Sequence, residues 1–208
     1  MTEGNEQASA RGAQTRRRLL DGAEAVLRRS GYAGASARTI GAAAGVNAAL
    51  VFYHFGGVDQ LLLATLDRSS ARRMQAHRAT AARARTVEEL VEAAVTIYRA
   101  DLEDGYLAQF SELVAAAVTK PALRTEINAR AEPWVAFVEE HWQRVVVGTP
   151  LARLLPARDV ANAAITYYLG ANLFSVIDPT GARTEGVFDL ARRLAPRTRL
   201  LTLRLPRR

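Results

Sequence analysis

The amino-acid sequence predicts an all-α fold in two parts, and three observations carry that prediction. Apolar residues recur at three- and four-residue spacing along the chain, and no stretch sustains the period of two that a strand needs. Two very short helical segments, 38–44 and 47–55, meet at a glycine and lead into a much longer helical run. Charge is uneven as well. Residues 1–85 hold 13 Arg against 6 acids, while residues 86–208 hold 15 basic and 15 acidic residues, so the net +7 lies in the first part.

The first ten residues are small and polar, with Glu3 and Glu6. They lack the pattern of a signal peptide and read as a disordered tail. A first helix over 12–29 has the apolar stripe Leu19, Ala23, Val26 and Leu27, and Gly31 ends it. The second, 38–44, places Ile40, Ala43 and Ala44 on one face. Gly45 stands where a left-handed helix stop is wanted, and Asn47 is placed to cap the third helix. A fourth helix starts near Gly57. Asp59 in its first turn suits the helix dipole, and Val58, Leu61, Leu62 and Leu66 face inward. Beyond Asp67 it becomes polar and arginine-rich as far as Arg83, as befits a helix that joins two modules.

Thr86 and Glu89 have the spacing of a capping box and open a fifth helix with Leu90, Ala94, Ile97 and Tyr98. Gly105 interrupts, and a sixth carries Tyr106, Phe110, Leu113, Val114 and Ala117. Pro121 suits the first position of a seventh, with the stripe Ile127, Trp134, Val138, Trp142 and Val145. Residues 148–150, Gly-Thr-Pro, break the chain. An eighth helix over 156–178 turns Val160, Ala164, Tyr167, Ala171 and Phe174 inward. A turn at 178–181 and a ninth helix over 185–195 follow; the Leu/Arg-rich tail 197–208 receives no assignment.

At 208 residues the chain is long enough for a substantial core. It has no cysteine, which excludes disulfides and zinc–thiolate sites. No run approaches the roughly 18 apolar residues of a membrane span, and the economical reading is a cytoplasmic protein without a membrane partner.

Two short helices joined by a turn with glycine form the helix-turn-helix signature. A two-turn helix buries little as core, but it is long enough to enter a major groove. The arginine excess around it is the electrostatic footprint of phosphate attraction. In order along the chain stand Thr15-Arg16-Arg17-Arg18, Gly31-Tyr32, Ser36, Arg38, Ile40, Ala44-Gly45-Val46 and Val51-Phe52-Tyr53-His54-Phe55. This ordered set, over 15–67, resembles the DNA-binding head of the TetR/AcrR family of bacterial transcriptional regulators. The expected organisation is a tail at 1–10, a three-helix DNA-binding head at 11–56, and a larger helical regulatory and dimerisation bundle at 57–208.

The recognition-helix residues that face outward near its start are Asn47, Ala48, Ala49 and Tyr53. The alanines offer no hydrogen bond but can touch a thymine methyl. The resemblance places Arg38 where a base is often reached, with a phosphate contact as the alternative. It places Tyr53 and His54 where phosphates are usually contacted, with local packing as the alternative for His54. Two residues depart from the family pattern: Phe52 stands for its usual Tyr and Val58 for its usual Lys. Both changes remove phosphate donors, while leaving side chains suited to packing. Ser36, Thr39 and the N–H groups of Gly57 and Val58 are left to complete the phosphate clamp.

Aromatic residues at helical spacing are, one by one, core residues. The resemblance implies a collective role for Tyr98, Phe110, Trp134, Phe137 and Tyr167 as walls of a site for a small apolar effector, oriented by Gln109, Glu112, Thr166 and Asn172. Ala161, Ala164, Ala171 and Ser175 give the eighth helix a small face. There the resemblance implies a homodimer, matched to a palindromic double-stranded DNA operator. His77 and His141 have no partners at metal-ligand spacing, and neither metal nor cofactor is expected. The function this implies is a regulator, a repressor released by its effector. Two alternatives stay open. An architectural DNA binder without sequence preference is favoured by the alanines. An enzyme on a helical scaffold would need a catalytic set, and the chain offers no cysteine, no paired histidines and no glycine-rich phosphate loop.

Overall fold

The computed structural model describes residues 2–178 and 180–202, with side chains at 7 and from 9 onward. Among these residues the regular elements are all helical: α1 (Thr2–Ser30), α2 (Ala37–Ala44), α3 (Ala49–Phe55), α4 (Val58–Arg83), α5 (Val87–Glu103), α6 (Tyr106–Thr119), α7 (Pro121–Val146), α8 (Leu151–Leu154), α9 (Ala157–Ile177), α10 (Ala182–Leu194) and a 3₁₀ helix (Ala195–Leu201). α1 starts at Thr2, where a disordered tail is expected up to residue 10. Once a helix is nucleated, each further residue adds a backbone bond without a second nucleation cost. The 3₁₀ helix takes up the start of the unassigned tail; residues 203–208 and Pro179 of the expected turn lie outside the described residues.

The chain forms two compact units, residues 1–71 with 108–127 and residues 72–107 with 128–208. They do not divide at the expected residue 57, because the first half of α4 is core of the first unit. Leu61, Leu62, Leu63 and Leu66 are all at most 1% exposed. That core also takes in Leu19, Ala23, Val26 and Leu27 of α1, Ile40 and Ala44 of α2, Val51 of α3, Phe110, Leu113, Ala116 and Ala117 of α6, and Leu123 and Ile127 of α7. Ala43 is exposed, contrary to the expected face; Gly41 is buried instead. α1 and α2 meet closely at Gly22, where a Cβ would lie 2.9 Å from the Ala44 amide nitrogen and 3.0 Å from the Ile40 carbonyl oxygen. Arg68 of α4 also ties to α1, reaching Asp21 at 2.6 Å and Glu24 at 2.9 Å.

In the second unit α5 packs on α10 and the 3₁₀ helix, and α10 on α9. One core cluster holds Val87, Trp142, Val146, Leu151 and Ala195; another holds Val95, Tyr98, Leu107, Ala171 and Phe188. Thr86 caps α5, accepting from the Glu89 amide at 3.2 Å. The Glu89 carboxylate instead takes the Arg85 amide, at 2.6 Å, so the reciprocal half of the box is displaced by one residue. α7 and α9 are rotated from their expected stripes. On α7, Val135, His141, Trp142 and Val146 are buried, while Trp134, Val138 and Val145 are half-buried. The indole N–H of Trp142, bonded to the Leu155 carbonyl at 3.2 Å, fixes that rotation.

On α9, Ala161, Ala171 and Asn172 are buried, so two of the four expected interface residues serve the subunit's own core. Phe174, expected inward, is 44% exposed and lies under the Arg183 guanidinium. Leu173, Val176 and Ile177 are 59, 80 and 69% exposed beside it. Counting apolar runs overlooks what the helix amounts to as a whole. Over an 18-residue window α9 reaches a mean hydropathy of 1.3, long and apolar enough to cross a membrane by length and composition, and only 17% of that window is buried.

Candidate nucleic-acid interface and ligand region

α2 is entered through a closed capping box. Ser36 Oγ accepts from the Thr39 amide at 3.1 Å, and Thr39 Oγ1 accepts from the Ser36 amide at 2.9 Å. Thr39 Oγ1 in turn donates to the Gly34 carbonyl at 2.9 Å. The helix is left through Gly45 at φ 62°, a left-handed conformation that favours glycine. The Val46 amide bonds back to the Gly41 carbonyl at 2.9 Å, closing the stop. Asn47 Oδ1 then accepts from the Ala49 amide at 2.8 Å and starts α3.

Arginines of α1 hold the far ends of this element. Arg18 donates to the Gly45 carbonyl at 2.8 Å. Arg16 donates to the His54 carbonyl at 3.1 Å and sits 4.3 Å from the centre of the Phe55 ring. Cations at helix C-termini are favoured by the dipole. The run 16–18 reads in the sequence as phosphate-attracting charge alone, and nothing local in that run signals which of its members face the motif.

Of the eight expected DNA-contacting residues, the structure leaves Ser36, Arg38, Asn47, Ala49 and Tyr53 exposed, Tyr53 by 81%. Thr39, Ala48 and His54 are half-buried. The Ser36 and Thr39 hydroxyls are engaged in the α2 cap, and His54 stands edge-on to Tyr53 with ring centres 4.9 Å apart. Phe52 is 59% exposed and does not pack as expected, whereas Val58 is half-buried.

Of the five expected effector-site residues, Tyr98, Trp134, Phe137 and Tyr167 belong to the second unit and fall in two rows. Tyr98 and Tyr167 meet through Phe188, with ring centres 5.4 and 5.5 Å away. Trp134 and Phe137 belong to a second row, Tyr106–Trp134–Phe137–His141, with successive distances of 6.3, 6.0 and 4.3 Å. Phe110 is buried in the first unit, as is Gln109. Glu112 also belongs to the first unit, where its carboxylate accepts from the Tyr32 amide. Thr166 is exposed, so of the four polar residues expected to orient the effector only Asn172 is buried in the second unit.

A buried charged cluster links the two aromatic rows. Asp101 of α5, fully buried, accepts from Arg73 and from the Tyr168 hydroxyl, and its Oδ1 lies 2.7 Å from His77 Nε2. Arg73 reaches Asp104 at 3.0 Å and covers the Tyr106 ring at 4.7 Å. Burial pushes the Tyr167 hydroxyl up to about 12 and the Tyr168 hydroxyl higher still, so both remain donors at neutral pH. Tyr167 donates to the Thr184 carbonyl at 2.8 Å. His77, for which the sequence offers no partner at metal-ligand spacing, is a member of this cluster. Ser69, Arg73 and His77 make a buried polar stripe on α4, visible in the sequence as a four-residue period that polarity disguises as a solvent face. Among the described residues, no group of three or more His, Cys, Asp or Glu could hold a metal ion.

A basic α1, a capped two-helix reader and a helical unit with two aromatic rows are the parts of a helix-turn-helix DNA-binding regulator. Residues 19–65 match the model of the bacterial regulatory proteins, tetR family. The chain is 29% identical over 143 residues to the HTH-type transcriptional regulator CymR of Pseudomonas putida, covering 69% of this chain and 70% of that one. Its fold is shared with a TetR family member from Streptomyces coelicolor, with 26% identity, coverage of 88 and 98% of the two chains, and a TM-score of 0.63. It is likewise shared with the multidrug binding protein EbrR complexed with malachite green, with 27% identity, coverage of 87 and 98%, and a TM-score of 0.60. In its DNA-binding head and in its fold the chain is similar to the TetR family of transcriptional regulators.

Proposed function

We propose that this chain is a repressor that binds a palindromic operator as a homodimer and leaves it when a small apolar or aromatic effector occupies the second unit. The observation that carries the reading is the closed α2–turn–α3 element with Arg38, Asn47, Ala49 and Tyr53 exposed on it. Arg38 reads a base, guanine being the partner its fork fits best. Ala48 and Ala49 approach thymine methyls, and Tyr53 and His54 contact phosphate. Ser36 and Thr39 act through the cap that fixes α2. Reading belongs to residues 11–56 and regulation to 57–208, although part of the latter packs with the head. Selection of bound duplexes from a random library tests the whole reading. A palindrome with half-sites about 34–36 Å apart is expected, and retention without sequence preference supports an architectural binder instead.

Arg38→Ala is expected to cost roughly 1–3 kcal/mol at one base position per half-site and to relax specificity there. Tyr53→Phe should weaken selected and random duplexes alike, because phosphate contacts carry no sequence information. Titration of both variants against both duplexes checks this, and equal loss of the two duplexes in Arg38→Ala removes its base-reading role.

For the effector, the supporting features are the two aromatic rows of the second unit and the malachite green held by EbrR. Malachite green is therefore the first probe. It should raise the melting temperature of the wild type and release the selected duplex, with a smaller shift in Trp134→Ala. Trp134 is only half-buried, so its truncation should destabilise by less than the ~3–5 kcal/mol of a core Trp. A large loss of stability with no ligand shift in the wild type assigns the Trp134 row to packing.

A further inference from the structure

We propose that Glu112 and Lys120 are positioning residues for DNA reading, fastening the α1–α2 turn and the first turn of α4 to α6. This rests on the specific, twofold reading proposed above.

The turn after α1 is shaped around Glu112. Gly31 adopts φ 61°, and a Cβ placed there would lie 2.5 Å from Glu112 Oε2. That same oxygen accepts from the Tyr32 amide at 2.8 Å, a charge-assisted bond in a half-buried setting. Eighty residues of sequence separate the two partners. Tyr32 then extends the link: its hydroxyl donates to Asp59 Oδ1 at 2.6 Å. Burial and the bond to Asp59 raise the phenol above its ordinary value, which keeps it a donor. Lys120, which follows α6, donates to Asp59 Oδ2 at 3.1 Å and stands 5.1 Å from the centre of the Tyr32 ring. The end of α6 is itself fixed by Arg124, which donates to the Ala117 and Val118 carbonyls at 2.9 and 2.8 Å.

These contacts join the entrance of α2 to the entrance of α4, the two segments that bracket the reader in sequence. Their weight lies in placement more than in stability. The Lys120 and Asp59 side chains are 46 and 38% exposed, and such pairs contribute little to folding. A displaced head has a different effect on the two kinds of DNA binding. Base contacts in two half-sites require both readers in register, whereas phosphate attraction tolerates displacement.

The test compares full-length wild type, Glu112→Ala, Glu112→Gln and Lys120→Met on a duplex selected from random sequence and on an unselected duplex of equal length, at one salt concentration. Melting temperatures are recorded in parallel. Glu112→Ala and Lys120→Met are expected to lower the preference for the selected duplex roughly tenfold, comparable with losing one base contact, with binding to the unselected duplex nearly unchanged. Glu112→Gln keeps an acceptor for the Tyr32 amide and should restore most of the preference. Variants that melt earlier but discriminate as the wild type does overturn the proposal, as do variants indistinguishable from wild type in both readouts. A wild type that shows no preference overturns the specific-regulator reading and this proposal with it. A discriminating wild type beside equally discriminating variants overturns this proposal alone.

Discussion

Asp101→Ala should destabilise the protein by about 3–5 kcal/mol, the range for breaking a buried ion pair from one side. The carboxylate is fully buried and receives Arg73, His77 and Tyr168 at once. Its removal leaves a guanidinium, an imidazole and a phenol in an apolar surround. Asp104, 3.0 Å from Arg73, remains as a partner for the guanidinium and limits the loss, although its 70% exposure weakens that pair. The value therefore belongs near the lower end of the range. Replacing both partners, Arg73→Met with Asp101→Leu, should recover much of the stability, since a well-packed apolar pair avoids the desolvation of two charges. Urea unfolding of the three proteins measures this. A loss below about 1 kcal/mol in Asp101→Ala means that the cluster is hydrated and not a buried pair.

The second large effect concerns α9. Leu173→Arg and Val176→Arg place charge on an exposed apolar face, which we read as the surface that receives a second copy. Each should yield a folded monomer in sedimentation, with operator affinity reduced by roughly 10²–10⁴, the gain that linking two half-site readers confers. Both positions point away from the subunit core, so the fold should survive. A dimer that persists with unchanged DNA affinity moves the contact with the second copy elsewhere.

Much of the head was legible in the sequence because its signals are local. Asn47 caps α3 from two residues away, Gly45 needs only its own φ, and Leu19, Ala23, Val26 and Leu27 follow a helical period; the Ser36–Thr39 box, equally local, was hidden by reading both hydroxyls as phosphate contacts. The second unit was less legible because its faces are chosen by distant partners. The rotation of α7 depends on a bond from Trp142 to Leu155, and that of α9 on hydroxyls of Tyr167 and Tyr168 that find Thr184 and Asp101. Alanine-rich helices have weakly defined apolar stripes, so a rotation of one residue costs the pattern little and the buried set a great deal. Arg73 and His77 lie in a stretch of α4 that reads only as polar and arginine-rich, because a charge in a sequence carries no mark of the partner that neutralises it. Glu112 was assigned to an effector site from its place among aromatics, whereas its bond is to a backbone amide eighty positions away.

The apolar end of α9 has a consequence at the level of the cell. On the proposed reading, in which a second copy covers this face, operator occupancy depends on how many copies are present, through mass action. Dimer concentration rises with the square of monomer concentration when monomers predominate, so halving expression lowers the DNA-competent species about fourfold. Abundance then acts as an input to this regulator alongside any small molecule, and the steepness of that input is set by side chains that never approach DNA.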